Sequence, residues 1–150
     1  MTTKAVQEGT VSAKLIERWE QVCQKLTVLA EVVPENRFDY SPVEGVRTFA
    51  DVLRHVAFWN RHLADSARGR KGDDTANELP KDEFSTKTRI IDALKHSAAS
   101  ATDALKENSS GLSPDVAEMV VTFIEHTCEH YGQLVVYARL NGIIPPASRE

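Results

Sequence analysis

The chain has 150 residues, which fits a single domain over residues 1–150, and its 41% apolar and 27% charged content lets a sizeable core form. A formal charge of −4 leaves no basic excess to neutralise a phosphate backbone, so nucleic-acid binding driven by charge lacks its main term. No apolar run approaches the roughly 20 residues of a membrane helix and MTTKAVQEGT holds no secretory hydrophobic region, so the chain is expected to be soluble and cytoplasmic, with no membrane partner.

Four helix-period segments separated by turn-rich stretches predict an all-α four-helix bundle, and no segment shows the alternation of strands. The first, about Ser12 to Val33, sets Leu15, Trp19, Val22, Leu26, Leu29 and Val33 on one stripe, and Pro34 stops it. Two prolines and a glycine in PENRFDYSPVEG make the stretch to Gly45 a structured connection. The second segment, about Thr48 to Arg68, carries Phe49, Val52, Leu53, Val56 and Leu63 on one face, with Gly69 as its C-terminal cap.

The polar run RGRKGDDTANELPK, Arg68 to Lys81, reads as a mobile linker, a long connection between helices two and three that permits a crossover. The third segment, about Ser85 to Lys106, has a narrower alanine-rich stripe through Ile90, Ile91, Leu94, Ala98, Ala101 and Leu105. The fourth is capped by Ser113, starts on Pro114 and runs to about Leu140, where Asn141-Gly142 and Pro145-Pro146 end it.

His126 and His130 stand one turn apart on that last helix, with Cβ atoms roughly 5 to 6 Å apart, in the sector of Met119, Phe123, Leu134 and Tyr137. Burying an unpartnered imidazole nitrogen costs on the order of 1 to 3 kcal/mol, so the pair needs partners. Interior histidines ordinarily find a carbonyl or hydroxyl, whereas two in register also suit one transition-metal ion; spacing alone leaves the two accounts level. A third ligand has to come from another helix, and His55, flanking the apolar face beside Val52 and Trp59, is the best placed. His62, two turns further on, is the alternative ligand or a residue at a channel mouth, and His96 is expected on the solvated surface.

At these residues the chain resembles the DinB family of four-helix-bundle proteins. The likeness lies in EHTCEHYGQLVVYARLNGIIPPAS, Glu125 to Ser148, and in FADVLRHVAFWN, Phe49 to Asn60, preceded by PENRFDYSPVEGVR. The family's metal triad is one histidine from helix two and an HxxxH pair from helix four, so the resemblance implies His55, His126 and His130 as ligands. It also implies a homodimer and a divalent transition metal, zinc or nickel, as cofactor. Some relatives transfer low-molecular-weight thiols, which implies a small-molecule substrate of that kind.

Two functional classes follow. In the first, the open coordination position of a three-histidine site activates a thiol or a water for thiol S-transfer or hydrolysis, with Glu129 and Gln133 beside the histidines orienting the nucleophile or accepting its proton. In the second, the protein is a non-enzymatic, stress-related metal-binding dimer whose metal is structural or incidental. His126-Thr-Cys-Glu-His130 also fits the H-x-x-E-H pattern of inverted zinc peptidases, but five characters recur by chance and a compact bundle offers no groove for an extended chain. Tyr131 and Tyr137 are expected as packing residues with hydroxyls at the rim. Cys23 and Cys128 have no CxxC spacing and are expected to be reduced, partly buried side chains, with Cys128 rotated off the metal-facing sector.

Overall fold

A computed structural model of the chain describes residues 2–107 and 110–149, with side chains from residue 10 onward. It contains α1 (Thr2–Val32), α2 (Phe49–Ala67), α3 (Lys87–Lys106) and α4 (Pro114–Leu140), with short 3-10 turns at Glu35–Arg37 and Pro146–Ser148 and no strand among the described residues. Local chemistry sets the helix ends. Thr48 and Asp51 form a reciprocal capping box at the start of α2, and the Tyr40 and Phe38 carbonyls accept from the first two amides, Phe49 at 2.9 Å and Ala50 at 2.8 Å. The Ser113 hydroxyl accepts from the Val116 amide at 3.3 Å, with Pro114 in the first position of α4. Helix α3 begins two residues later than Ser85 because Thr86, in extended backbone, takes the capping position.

Helices α2 and α4 finish alike. Gly69 (φ 72°) and Gly142 (φ 74°) enter the left-handed region, and the next amides, Arg70 and Ile143, reach back to the Asp65 and Ala138 carbonyls at 2.8 and 2.9 Å. Helix α1 starts ten residues before the expected Ser12. The apolar stripe marks only where a helix packs, and the backbone continues helical through a polar segment that has no stripe to reveal it. Ser12 is buried, and its hydroxyl accepts from the Leu112 amide at 2.9 Å.

The helices form a square in which α1 packs on α3 and α4, and α2 also packs on α3 and α4. Helices α1 and α2 thus take opposite corners, and the connection between them crosses the bundle, burying Phe38 on its way. Residues 68–81 differ from the mobile linker and crossover expected of their composition. They join neighbouring helices, and instead of hanging free they lie as a strap along α2, with Leu79 buried and its amide donating to the Arg54 carbonyl at 3.4 Å.

The core divides into two clusters. One contains Leu29, Val33, Leu53, Leu94 and Leu134; the other contains Trp19, Leu63, Leu105, Val120 and Phe123. At or beside the junction of the two, each helix carries a buried polar residue: Thr27, Asn60, Ser97 and Thr127. No helix among the described residues is long and apolar enough to cross a membrane.

Candidate metal centre

The interface of α2 and α4 brings His55, His126 and His130 together. His55 and His126 face each other with Nε2 atoms 2.9 Å apart, and one ring nitrogen of each of the three lies within 4.8 Å of the others. Ring centroids are 4.9 Å apart for His55 and His126, 4.9 Å for His55 and His130, and 4.5 Å for His126 and His130. Ligands held at roughly 2.0 to 2.1 Å from one ion stand about 2.8 to 3.4 Å from one another, so the closest pair has the spacing of a shared centre.

The outer ring nitrogens decide what the inner ones can do. His55 Nδ1 lies 2.6 Å from the Asn77 carbonyl oxygen, and since a carbonyl only accepts, Nδ1 carries the proton and Nε2 presents a lone pair towards His126 Nε2. His130 reaches the same state through a longer chain. The Tyr137 hydroxyl, 2.8 Å from the Arg47 carbonyl, must donate there; it therefore accepts from the Gln133 amide nitrogen at 2.8 Å, which turns the Gln133 oxygen towards His130 Nδ1 at 2.9 Å. His130 Nδ1 is thus a donor, and its Nε2 keeps a lone pair as well.

Protonation would abolish this donor set, and the surroundings oppose it. Burial, then the neighbouring His130 and His55 and the Arg47 guanidinium, lower His126 to about 3. Burial also lowers His55, against the hydrogen bond to the Asn77 carbonyl that favours its charged form. Inward lone pairs with protons anchored outward, as His55 and His130 have them, are what a divalent transition metal requires of its ligands and their supports, and His126 adds a third ring nitrogen 2.9 Å from that of His55, so these residues fit such an ion.

The other expected residues are distributed as follows. His62 stays outside the cluster: its Nδ1 donates to the Asp73 carbonyl at 3.2 Å and its ring stands 5.1 Å from Trp59. His96 and Glu129 are exposed. Gln133 has both ends of its amide engaged between His130 and Tyr137. Tyr137 is buried, so its hydroxyl is not at a rim but inside, bracing Gln133; Tyr131 packs under Lys25, whose ammonium is 4.6 Å from its ring centroid. Cys128 is exposed on the outer side of α4, not partly buried, while burial pushes the Cys23 thiol well above its usual range and leaves it unreactive.

Three supporting residues had no sequence signal. Asn77 sits in a polar run, the Arg47 contribution is a backbone carbonyl, and Trp59, read only as a neighbour of His55, donates its Nε1–H to the Asn77 side chain at 2.9 Å. An aromatic wall continues from the centre, with Trp59 stacked on Phe123 at 5.9 Å and Phe123 edge-on to His126 at 6.0 Å.

No curated protein matches the chain. A family model described as the DinB superfamily matches residues 18–134, a span that holds all three histidines and well over half of the sequence. The chain belongs to the DinB superfamily.

Proposed function

We propose that the protein is a metal-dependent enzyme acting on a small molecule, in which His55, His126 and His130 hold one divalent transition-metal ion, zinc or nickel. The observation that carries this reading is the pair of outward hydrogen bonds at Nδ1 of His55 and His130, which leaves Nε2 of each free to coordinate. An ion with three such ligands and an open position lowers the pKa of a bound thiol or water, the chemistry of thiol S-transfer or hydrolysis. Gln133 keeps His130 in its coordinating tautomer, and Glu129, exposed one residue before His130, is the acceptor for the nucleophile's proton. The low-molecular-weight thiol, the cytoplasmic setting and the homodimer belong to the same proposal.

A second reading, a non-enzymatic metal-binding dimer, draws on the outer side of α4, where Val121, Val136 and Leu140 remain 41%, 54% and 59% exposed. One experiment separates the two. The purified chain is loaded with zinc or nickel and assayed for transfer from several low-molecular-weight thiols to a generic electrophile, before and after chelation and as His126→Ala. Turnover that falls on the order of 100-fold or more in both cases supports the enzyme. Turnover indifferent to chelator and substitution removes it, and tight metal binding without turnover leaves the second reading.

A further inference from the structure

Residues 70–80 carry little packing. Only Gly72 and Leu79 of them are buried, and a hollow of about 270 Å³ stays open between the strap and α2, lined by Phe58, Arg61, His62, Ala76 and Leu79 among others. Polar bonds therefore set the position of the strap, through Asp73 to His62, Glu78 to Arg47 and Leu79 to Arg54, and Asn77 supplies the two nearest the histidine cluster. Asn77 is the only non-glycine residue with positive φ among those described, at 64°. Asparagine is one of the few side chains that tolerate that conformation. The turn aims its carbonyl at His55 Nδ1, 2.6 Å away, while its side-chain oxygen accepts from Trp59 Nε1 at 2.9 Å, so one residue holds two positions a helical turn apart on α2.

The bonds around it close a circuit. Glu78, next to Asn77, pairs with the Arg47 guanidinium, and the Arg47 carbonyl receives the Tyr137 hydroxyl that holds Gln133 against His130. Ligands from two helices are thereby joined through two connections, by way of residues 47, 77 and 78.

We infer that Asn77 is a positioning residue for the metal centre, holding His55 with Nε2 turned towards His126 and His130 and tying ion binding to the ordering of residues 70–80. The inference rests on the metal reading of the three histidines. Coupling of this kind is reciprocal: whatever the strap contributes to ion affinity, the ion returns as protection of the strap.

The test uses zinc ion alone, titrated into the whole chain against a competing chelator, together with amide hydrogen exchange of the strap with and without zinc. Asn77→Ala removes the side-chain acceptor and disfavours the left-handed turn, and it should weaken zinc binding about 10-fold or more. Asn77→Asp keeps both the acceptor and the tolerance of positive φ and should stay near wild type. Zinc should slow exchange of the amides from Asp73 to Leu79 in the wild type and much less in Asn77→Ala. Wild-type zinc affinity in Asn77→Ala, or strap exchange unchanged by zinc, overturns the inference and leaves the metal reading standing. A wild-type chain that binds no zinc, or binds it equally as His126→Ala, overturns both.

Discussion

Each imidazole at the α2–α4 interface has two nitrogens and one proton to place, and for His55 and His130 the placement follows from acceptors that can only accept. A backbone oxygen stands directly against His55 Nδ1, and the same kind of oxygen, two side chains further on, orients Gln133 against His130. With both ends of its amide so engaged, Gln133 is expected to act through His130. Gln133→Leu keeps the volume but removes the acceptor, freeing His130 to turn its protonated nitrogen inward. Metal affinity is expected to fall about 10- to 100-fold by chelator competition, with unfolding midpoint nearly unchanged. A variant that binds the ion as tightly as the wild type would return Gln133 to the role of a proton-handling group.

Helix α2 is buried from Phe49 through Phe58, and such depth demands that its two charged residues there be paired. Arg54 donates to Asp51 at 2.6 Å and to the Phe84 carbonyl at 2.9 Å, and Lys81 reaches the same Asp51 oxygen at 3.1 Å. This triad pins the far end of the strap to the helix that carries His55. Burial works to raise the Asp51 carboxyl, but the hydrogen bonds from Arg54, Lys81 and Thr48 outweigh it and hold it at about 2. Because the folded pKa lies below the ordinary value of 3.8, the pair contributes stability that is complete above pH 4 and is lost as pH falls towards 2. Asp51→Asn is expected to cost about 2 to 4 kcal/mol at pH 7 by leaving Arg54 uncompensated, and the gap from wild type should narrow near pH 2.5. Urea unfolding of both proteins at the two pH values measures it; a gap independent of pH would show that the charge on Asp51 is not what holds the triad.

The square arrangement, with α1 and α2 at opposite corners, makes the polar belt through Thr27, Asn60, Ser97 and Thr127 a feature shared by all four helices. Asn60 donates to Ser97 at 3.2 Å, Ser97 to the Leu94 carbonyl at 3.0 Å, and Thr27 to the Cys23 carbonyl at 2.9 Å. The Thr127 hydroxyl, although buried, has no hydrogen-bond partner among the described residues. An unpaired buried hydroxyl carries its full desolvation cost, so Thr127→Val, which keeps the shape, should stabilise the bundle by about 1 kcal/mol. Denaturant midpoints of the two proteins, at unchanged slope, give the value. Destabilisation would mean that Thr127 contributes through a partner bound in solution.

Helix number, the stripe of Trp19, Leu26 and Leu29, the cap at Ser113 and the placement of His126 and His130 on one face were all legible along the chain, because periodicity and capping are interactions between residues a few positions apart. The first ten residues of α1 were not, since their mostly polar sequence carries no apolar stripe to mark a helix. Resemblance nominated His55 along with flank reasoning, but its meeting with the pair depends on α2 and α4 being neighbours in the square. The inward turn of the imidazoles was hidden more deeply. It rests on the carbonyls of Asn77 and Arg47, and a carbonyl is common to every residue, so only the folded path of the backbone says which two of them stand beside a histidine.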